Sequence, residues 1–375
     1  MAFRTPPEVL LRQCLRYRSV SKIITKPSHS VSQVPCAAAS YKTAVCVKIG
    51  APLEVQHLPR PRKLNAREVL ISTHALGINF ADILTCKGQY QDRRKTPFTP
   101  GGEISGKVVE VGAEVSKVKI GDRVIALDFA KSGGASEVFV APAEAVFPVP
   151  EHLSLVDAAA TVVSYSTAMM ALSRKAKLKQ RERVLITAAA GATGLAAVDI
   201  ARNLFDCEVI AVCGGVDKCN FLKERGANYT IDYTKENIRE RVKEITKGRG
   251  VDVVMDQVGG DTLLDCIKSL GFEGRALTVG YAAGSIPNIP ANQLLLKSSS
   301  LIGVFWGSYA LSNPAAFMES ITQVFEALSQ KKIHPYVGNT FKLEQINEAF
   351  QFILDRKSVG KVVIKIREED HPAVL

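Results

Sequence analysis

The stretch Arg183-Val-Leu-Ile-Thr-Ala-Ala-Ala-Gly-Ala-Thr-Gly-Leu-Ala-Ala-Val-Asp-Ile-Ala201 decides the fold. Its first part, Val184–Thr187, has the composition of a buried strand. A turn of small residues follows, and after it apolar residues recur at the spacing of a helix, at Leu195, Val198, Ala201 and Phe205. The stretch therefore predicts a strand, a tight turn and a helix in direct succession.

The turn fits the glycine fingerprint of dinucleotide-binding folds with one change. Gly191 and Gly194 take the second and third glycine positions, and Ala189 stands at the first. The second glycine lets the backbone approach a pyrophosphate, and the third lets the helix pack closely on the strand. The helix N-terminus then offers N–H groups and a partial positive charge to phosphates. The pattern predicts that a dinucleotide contacts Ala190, Gly191, Ala192, Thr193 and Gly194; an ordinary βα turn is the alternative.

The chain after the fingerprint alternates between strand and helix patterns. We predict strands over 208–212, 229–231, 251–255, 275–279 and 299–304, with helices over 217–225 and 236–246. Together with the strand at 184–187 these make six strands that alternate with helices, which indicates an α/β fold with a parallel, doubly wound sheet. Binding sites in such folds lie at the carboxyl ends of the strands.

The end of the strand predicted at 208–212, the next strand after the fingerprint, bears on the choice of cofactor. NAD sites usually hold an acidic residue there for the ribose 2′-hydroxyl. This chain has Cys213, Gly214 and Gly215, and Lys218 follows. Small residues beside an ammonium would accept a 2′-phosphate, so the sequence predicts NADPH. Lys218 could equally be a solvated residue of the first helical turn, and Asp217 could be the helix N-cap.

The N-terminal half has a different pattern. Short β-type runs, separated by turn residues, occupy 43–49, 69–75, 104–111, 123–127 and 135–140. This spacing predicts a partly closed all-β domain over roughly residues 41–160.

Length and composition set further bounds. The 375 residues suggest about two domains, and no apolar run approaches the roughly 20 residues of a membrane span. The eight cysteines include no CxxC pair, which argues for reduced thiols and against a zinc knuckle. The short basic cluster Arg93-Arg94-Lys95 has no interleaved aromatic residues, so we expect no specific nucleic-acid partner.

Residues 1–40 differ from the rest of the chain. They hold six basic residues (Arg4, Arg12, Arg16, Arg18, Lys22 and Lys26) and one acidic residue, Glu8. An Arg- and Ser-rich, acid-poor leader is typical of an organellar transit peptide. We therefore expect import into the mitochondrial matrix; the alternative is a disordered basic tail on a cytoplasmic protein.

Three motifs of the N-terminal half carry a family resemblance. Gly77-Ile-Asn-Phe-Ala-Asp-Ile-Leu-Thr-Cys-Lys-Gly-Gln-Tyr90, Pro100-Gly-Gly-Glu-Ile-Ser-Gly-Lys-Val-Val-Glu-Val-Gly112 and Gly121-Asp-Arg-Val124 occur in this order. They resemble segments of the medium-chain dehydrogenase/reductases of the quinone oxidoreductase branch. The resemblance implies a GroES-like β-domain over 41–162, to which 335–368 return, and a Rossmann-type NADPH-binding domain over 163–334. It places the active site between them.

The sequence departs from the zinc alcohol dehydrogenases of the wider superfamily at two positions. Those enzymes have a cysteine ligand at the position of Asn79 and a histidine ligand at that of Gly102. An amide and a glycine cannot supply these ligands. We therefore predict no metal, and without a Lewis acid the favoured chemistry is reduction of an electron-poor acceptor rather than alcohol oxidation.

The resemblance also assigns cofactor contacts residue by residue. It implies that Lys218 and Tyr233 contact the 2′-phosphate. Further contacts are implied for Thr167, Val258, Gly280, Tyr281, Phe305, Trp306 and Lys361. For Phe305, Trp306 and Tyr309, packing at an edge or against another subunit is the alternative.

Three residues are candidates for the chemistry. Asn79 and Tyr90 could donate a hydrogen bond to the acceptor oxygen, where hydride arrival creates negative charge. A tyrosine at the place of Tyr90 is thought to deliver a proton in the related enoyl thioester reductases. Asp82 could orient or cap the loop. The alternative for Asn79 and Asp82 is turn formation, and for Tyr90 it is packing.

The resulting functional hypothesis is an NADPH-dependent reductase of quinones or α,β-unsaturated carbonyls. The alternatives are a mitochondrial 2-enoyl thioester reductase and an NADPH-binding protein with little turnover, since relatives in this branch can be abundant structural proteins. The family also suggests a homodimer formed through the edge strand predicted at 299–304.

Overall fold

The computed structural model describes residues 40–91 and 93–369. The leader predicted over residues 1–40 thus lies outside the described residues, except for Ser40. The strands are β1 (Ser40–Val45), β2 (Glu54–Pro59), β3 (Glu68–Gly77), β4 (Glu103–Val111), β5 (Arg123–Leu127), β6 (Val138–Pro142), β7 (Val146–Pro148), β8 (Arg183–Ile186), β9 (Glu208–Cys213), β10 (Tyr229–Asp232), β11 (Val251–Asp256), β12 (Leu270–Thr278), β13 (Ser300–Gly303), β14 (Val337–Lys342) and β15 (Lys361–Lys365).

The helices connect these strands. They are α1 (Phe80–Cys86), α2 (Leu155–Ala158), α3 (Val162–Met169), α4 (Ala192–Asn203), α5 (Val216–Glu224), α6 (Ile238–Ile245), α7 (Gly260–Lys268), α8 (Ala291–Leu295), α9 (Tyr309–Ser312), α10 (Pro314–Ser329) and α11 (Ile346–Leu354). α3 continues into a π-helical segment, Met170–Lys175. In the described part of the chain, no helix combines the length and apolarity needed to cross a membrane.

A parallel sheet confirms the predicted doubly wound fold. Within the described residues it has six strands in the order β10-β9-β8-β11-β12-β13. Successive side chains of β8 point to opposite faces. Val184 and Ile186 pack in the cluster that holds Leu195 of α4, whereas Leu185 packs in the cluster that holds Val242 of α6. Both faces are covered, so the strand is apolar throughout.

A mixed sheet contains both N-terminal and C-terminal strands. In the described part of the chain its seven strands run in the order β14-β15-β3-β4-β5-β7, with β6 paired to β3. β3 is buried along all ten of its residues. β15 pairs antiparallel with it, Val363 opposite Gly77, while β6 pairs with its first half. The end of the chain therefore completes a sheet that the N-terminal half begins.

Several predicted boundaries were wrong. The first strand spans Ser40–Val45 rather than 43–49, and the strand predicted at 135–140 begins at Val138. Ala135 lies before that strand because its backbone bonds to Ala44 and Pro100. Phe205 lies beyond the end of α4, and α6 begins only after Asn237, whose side chain accepts a hydrogen bond from the Glu240 N–H.

Candidate functional site

The turn between β8 and α4 has the close packing that the fingerprint requires. A Cβ atom added at Gly194 would lie 2.3 Å from the Ala188 carbonyl oxygen, while one at Gly191 would lie 3.2 Å from it. Ala189 is fully buried, and its N–H donates to the Val212 carbonyl. Gly191 is the N-cap of α4, a helix of 12 residues. Because the first N–H groups of a helix have no intrahelical acceptor, this turn can bind phosphates.

The carboxyl ends of β9 and β10 bring Gly214 and Tyr233 together. A Cβ atom at Gly214 would lie 2.8 Å from the Tyr233 hydroxyl oxygen, so the phenol lies over the glycine. The next residue, Gly215, has φ +91°, and its N–H donates to Asp232 at 2.9 Å. Gly215, not Asp217, is the N-cap of α5, so the N-cap alternative for Asp217 was wrong.

Lys218 lies in the first turn of α5, close to this subsite. Its Nζ donates to the carbonyl oxygen of Arg356 at 2.5 Å. Burial lowers the pKa of Lys218 from its ordinary value. The side chain is half-buried and held by a backbone oxygen, so it is not a freely solvated surface lysine.

The start of α1 contains a hydrogen-bonded polar network. Asn79 is the N-cap, and its backbone N–H donates to Asp82 Oδ2 at 2.8 Å. The Asn79 amide donates to Glu103 Oε2 at 3.1 Å, and its oxygen accepts from Lys361 Nζ at 2.7 Å. Lys361 also forms an ion pair with Glu103 at 2.8 Å. The structure thus brings Asn79 and Lys361 together with Glu103. The sequence had suggested different roles for Asn79 and Lys361, and no role for Glu103.

The carboxylate of Asp82 is desolvated even though part of the residue is accessible to solvent. Desolvation raises the pKa of Asp82 from 3.8 to about 6, against the lowering effect of the Asn79 N–H and the Lys361 charge. Asp82 therefore titrates about two pH units above an ordinary aspartate.

Backbone hydrogen bonds link the loops after β11 and β12. The Ala283 N–H donates to the Val258 carbonyl at 2.9 Å. A Cβ atom at Gly259 would lie 2.6 Å from the Tyr281 ring, so Tyr281 packs on the β11 loop. Gly280 precedes that tyrosine and is half-buried. The structure thus brings Val258, Gly280 and Tyr281 together at the carboxyl edge of the parallel sheet.

Trp306 packs in the interior of the chain, so the structure shows neither an edge position nor a contact with another subunit for it. It is 4 % exposed, and its indole N–H donates to Ser320 Oγ at 2.9 Å. Its ring stacks on Phe317 at 4.5 Å and meets the edge of Phe129 at 5.8 Å. Phe305, by contrast, is 48 % exposed.

The remaining candidates lie on separate elements. Thr167 is half-buried on α3, and Tyr90 is half-buried in a bend after α1. In the part of the chain that the structure describes, no group of three or more His, Cys, Asp or Glu side chains is placed to hold a metal ion.

Sequence reasoning missed Glu103, Gly360 and Arg356. Glu103 is fully buried in β4, and the signal available for it was an acidic residue directly before the strand predicted at 104–111. Gly360 donates its N–H to the Ala190 carbonyl of the fingerprint turn at 2.7 Å. No local pattern predicts a contact between segments so far apart in the chain.

The chain is similar to known proteins in sequence. The family model described as alcohol dehydrogenase GroES-like domain matches residues 65–151, and the one described as zinc-binding dehydrogenase matches residues 192–326. The quinone oxidoreductase-like protein 2 homolog of Nematostella vectensis is 43% identical over 98% of this chain and 100% of its own.

The chain is also similar in fold to solved structures. The quinone oxidoreductase of Pseudomonas syringae pv. Tomato DC3000 has a TM-score of 0.80 at 28% identity, over 87% of this chain and 99% of its own. The Escherichia coli quinone oxidoreductase, solved in complex with NADPH, has a TM-score of 0.78 at 27% identity over the same shares.

Proposed function

The chain belongs to the quinone oxidoreductase branch of the medium-chain dehydrogenase/reductases, and from this premise we propose that it is an NADPH-dependent oxidoreductase that reduces a quinone or an α,β-unsaturated carbonyl. The observation that carries the proposal is the fingerprint turn Ala188–Gly194, whose close packing leaves no space for a larger residue at Gly194. The relative from Escherichia coli was solved with NADPH.

The residues of this chain fit such a cofactor. Ala190–Gly194 would hold the pyrophosphate at the N-terminus of α4. Gly214, Lys218 and Tyr233 would hold the 2′-phosphate. The acidic side chain of Asp232, at the end of β10, already accepts hydrogen bonds from Gly215 and Thr234. Val258, Gly280, Tyr281 and Phe305, which follow strands of the parallel sheet, would face the nicotinamide, together with Thr167 of α3.

The bound nicotinamide would supply hydride. The protein would bind the cofactor, orient it against the acceptor and exclude water. Asn79 uses both ends of its amide within the network, so we assign it to holding α1 rather than to donating to the acceptor. Tyr90 remains the candidate for proton delivery to the acceptor, and Asp82 caps α1 through the Asn79 N–H.

Titration of the full chain with NADPH and NADH, followed by nicotinamide fluorescence, tests the cofactor. Loss of a charge-assisted contact in Lys218→Ala weakens NADPH by about tenfold or more and leaves NADH unchanged. Tyr233→Phe acts in the same direction. Lys223→Ala, an exposed lysine on the same helix, is the control. Failure to bind either nucleotide would refute the oxidoreductase proposal.

Turnover is tested with a series of quinones and enones. We expect NADPH oxidation with at least one of these acceptors, and slower turnover in Tyr90→Phe. Tight NADPH binding without oxidation by any acceptor would favour the binding-protein alternative.

We also propose a homodimer in which β13 pairs with the same strand of a second copy. β13 is an edge of the parallel sheet as described, and an edge strand presents backbone groups that can pair. Leu295 and Leu296, which come shortly before it, are 78 % and 75 % exposed. Large apolar side chains in this position are typical of an interface.

Residues 1–40 are proposed as a mitochondrial transit segment. Fusion of this segment to a fluorescent protein is expected to direct it to mitochondria, and Arg12→Glu with Arg16→Glu is expected to prevent this. A fusion that stays in the cytosol contradicts the proposal.

A further inference from the structure

Glu103 connects four elements through one carboxylate. Its Oε2 accepts from Lys361 Nζ at 2.8 Å and from the Asn79 amide at 3.1 Å. Its Oε1 accepts from the Val163 N–H at 2.7 Å. The carboxylate of β4 therefore contacts β15, α1 and α3 at once.

The network leaves Lys361 little freedom to bind a ligand. Its side chain is 1 % exposed, and that of Glu103 is 0 % exposed. The Lys361 ammonium donates both to Glu103 and to the Asn79 side-chain oxygen. Buried ion pairs are often replaceable by apolar residues without loss of stability. What an apolar replacement could not reproduce is the defined orientation of Asn79.

The residue before Lys361 contacts the fingerprint turn. The Gly360 N–H donates to the Ala190 carbonyl at 2.7 Å, and Gly360 forms an isolated bridge with Gly191. Gly360 has φ +65°, and a Cβ atom there would lie 2.6 Å from the Tyr336 carbonyl oxygen. Two consecutive residues thus contact the phosphate-binding turn and the start of α1.

We propose that Lys361 is a positioning residue. Through Glu103 and Asn79 it holds α1, with Asp82, at a fixed place relative to the turn Ala188–Gly194, and its ammonium does not contact the cofactor. The family resemblance implied a cofactor contact for this lysine, and the buried network gives it a different role. This inference rests on the proposed function.

The test compares Lys361→Met with Lys365→Met. Lys365 lies on the same strand, and its ammonium pairs with Glu368 at 3.3 Å, near the surface. For each variant, the NADPH dissociation constant is measured by fluorescence titration. The rate of hydride transfer to a quinone is measured in a single turnover at saturating NADPH. Displacement of a positioned element by about 1 Å can lower a rate about a hundredfold.

We expect Lys361→Met to lower the hydride-transfer rate by about tenfold to a hundredfold and to keep the NADPH dissociation constant within about twofold. Lys365→Met should change neither. A variant that loses NADPH affinity but transfers hydride at the normal rate once saturated would show that Lys361 contacts the cofactor, and the proposal would fall. If Lys361→Met changed neither the hydride-transfer rate nor the NADPH dissociation constant, the proposal would also be overturned.

A second readout does not depend on activity. Amide hydrogen exchange of the cofactor-free protein should accelerate over α1 in Lys361→Met and not in Lys365→Met, because α1 loses its anchor. Wild-type protein that neither binds NADPH nor reduces a quinone refutes the proposed function, whereas unchanged exchange over α1 refutes the positioning role.

A double variant covers the case in which Lys361→Met does not fold. Glu103→Gln with Lys361→Met removes both charges and keeps an amide oxygen for the Val163 N–H. We expect it to fold, with α1 still exchanging fast and hydride transfer still slow. Hydride transfer at the wild-type rate in this protein would exclude a positioning role for Lys361.

Discussion

At the scale of single residues, the two glycines of the fingerprint turn are not equivalent. A methyl group at Gly194 would lie 2.3 Å from the Ala188 carbonyl oxygen, inside any contact that a real Cβ atom makes. Gly191 leaves 3.2 Å, so a small shift could accommodate alanine there. Gly194 therefore determines how closely α4 packs on β8.

Gly194→Ala is expected to lower the free energy of unfolding by about 1–3 kcal/mol, the usual effect of overpacking, and to abolish detectable NADPH binding. Urea unfolding and fluorescence titration measure the two effects. Gly303→Ala is the matched control, because a Cβ atom there meets no heavy atom within 4 Å. Gly194→Ala protein as stable as wild type would contradict the close packing of the turn.

Asp82 gives a pH-dependent prediction. Its pKa is about 6 in the folded chain and 3.8 in its ordinary state, so the folded protein retains a proton that the unfolded chain has released. The contribution of Asp82 to stability is present below about pH 4 and is lost as the pH rises through 6. The difference of about two units corresponds to about 3 kcal/mol.

Asp82→Asn removes this titration and keeps an oxygen for the Asn79 N–H. The variant should be up to about 3 kcal/mol more stable than wild type at pH 8, and the gain should shrink towards pH 4. Urea unfolding at several pH values measures the difference between the two proteins. A loss of stability at pH 8 would show that the Asp82 charge is favourable in the fold.

The structural part of the site could be predicted from sequence where the pattern is local, and the binding roles of its residues stay predictions. The fingerprint turn and the glycines after β9 are short motifs with their own geometric requirements, so they could be identified without the fold. Lys361 and Glu103 are 258 residues apart. Their pairing depends on β15 lying beside β3, which no local pattern determines.

At the scale of elements, the strands of the parallel sheet were the easiest to predict. The central strands β8, β9 and β11 are buried almost throughout, because helices cover both faces of the sheet there. The strands of the N-terminal half were harder to predict. β1 forms a separate two-stranded sheet with β2, and β6 begins and ends where its pairing with the distant strand β3 begins and ends. Ala135 is an example. It lies in a stretch whose composition suits a strand, yet its backbone forms hydrogen bonds with Ala44 and Pro100 rather than with the partner of β6.

The packing of α3 on α4 includes a buried hydrogen bond that can be tested. The Tyr165 hydroxyl donates to Asp199 Oδ2 at 2.7 Å, and the same carboxylate accepts from Asn203 and from the His334 N–H. Tyr165→Phe is expected to lower the free energy of unfolding by about 1–3 kcal/mol.

Thermal or urea unfolding measures this effect, and Tyr229→Phe is the control because Tyr229 is 40 % exposed. Equal losses in both variants would argue that the Asp199 network does not stabilise the junction of the two helices.

At the scale of the whole molecule, the edge of the parallel sheet determines the predicted assembly. Leu295→Lys with Leu296→Lys places two charges beside β13 and should convert a dimer into a monomer. Both side chains are exposed, so the fold of each subunit should be retained. Analytical ultracentrifugation gives the mass.

Ile120→Lys serves as the control for this experiment. Ile120 is 64 % exposed and lies between β4 and β5 of the mixed sheet, away from the proposed interface. A double leucine variant that remains a dimer, or a wild-type monomer, would exclude assembly through β13.

The pairing of β15 with β3 imposes an order on biosynthesis. The parallel sheet is complete in the nascent chain once Gly303 has emerged from the ribosome, whereas Ala75–Gly77 wait for Val363–Lys365, near the C-terminus. Until then an apolar strand edge stays open, a surface that chaperones protect during translation. A chain that ends before Gly360 because of a premature stop codon would retain the strands of the parallel sheet but lack Lys361. The contact between Lys361 and Asn79 at the start of α1 therefore forms only after all strands of the parallel sheet have been synthesised.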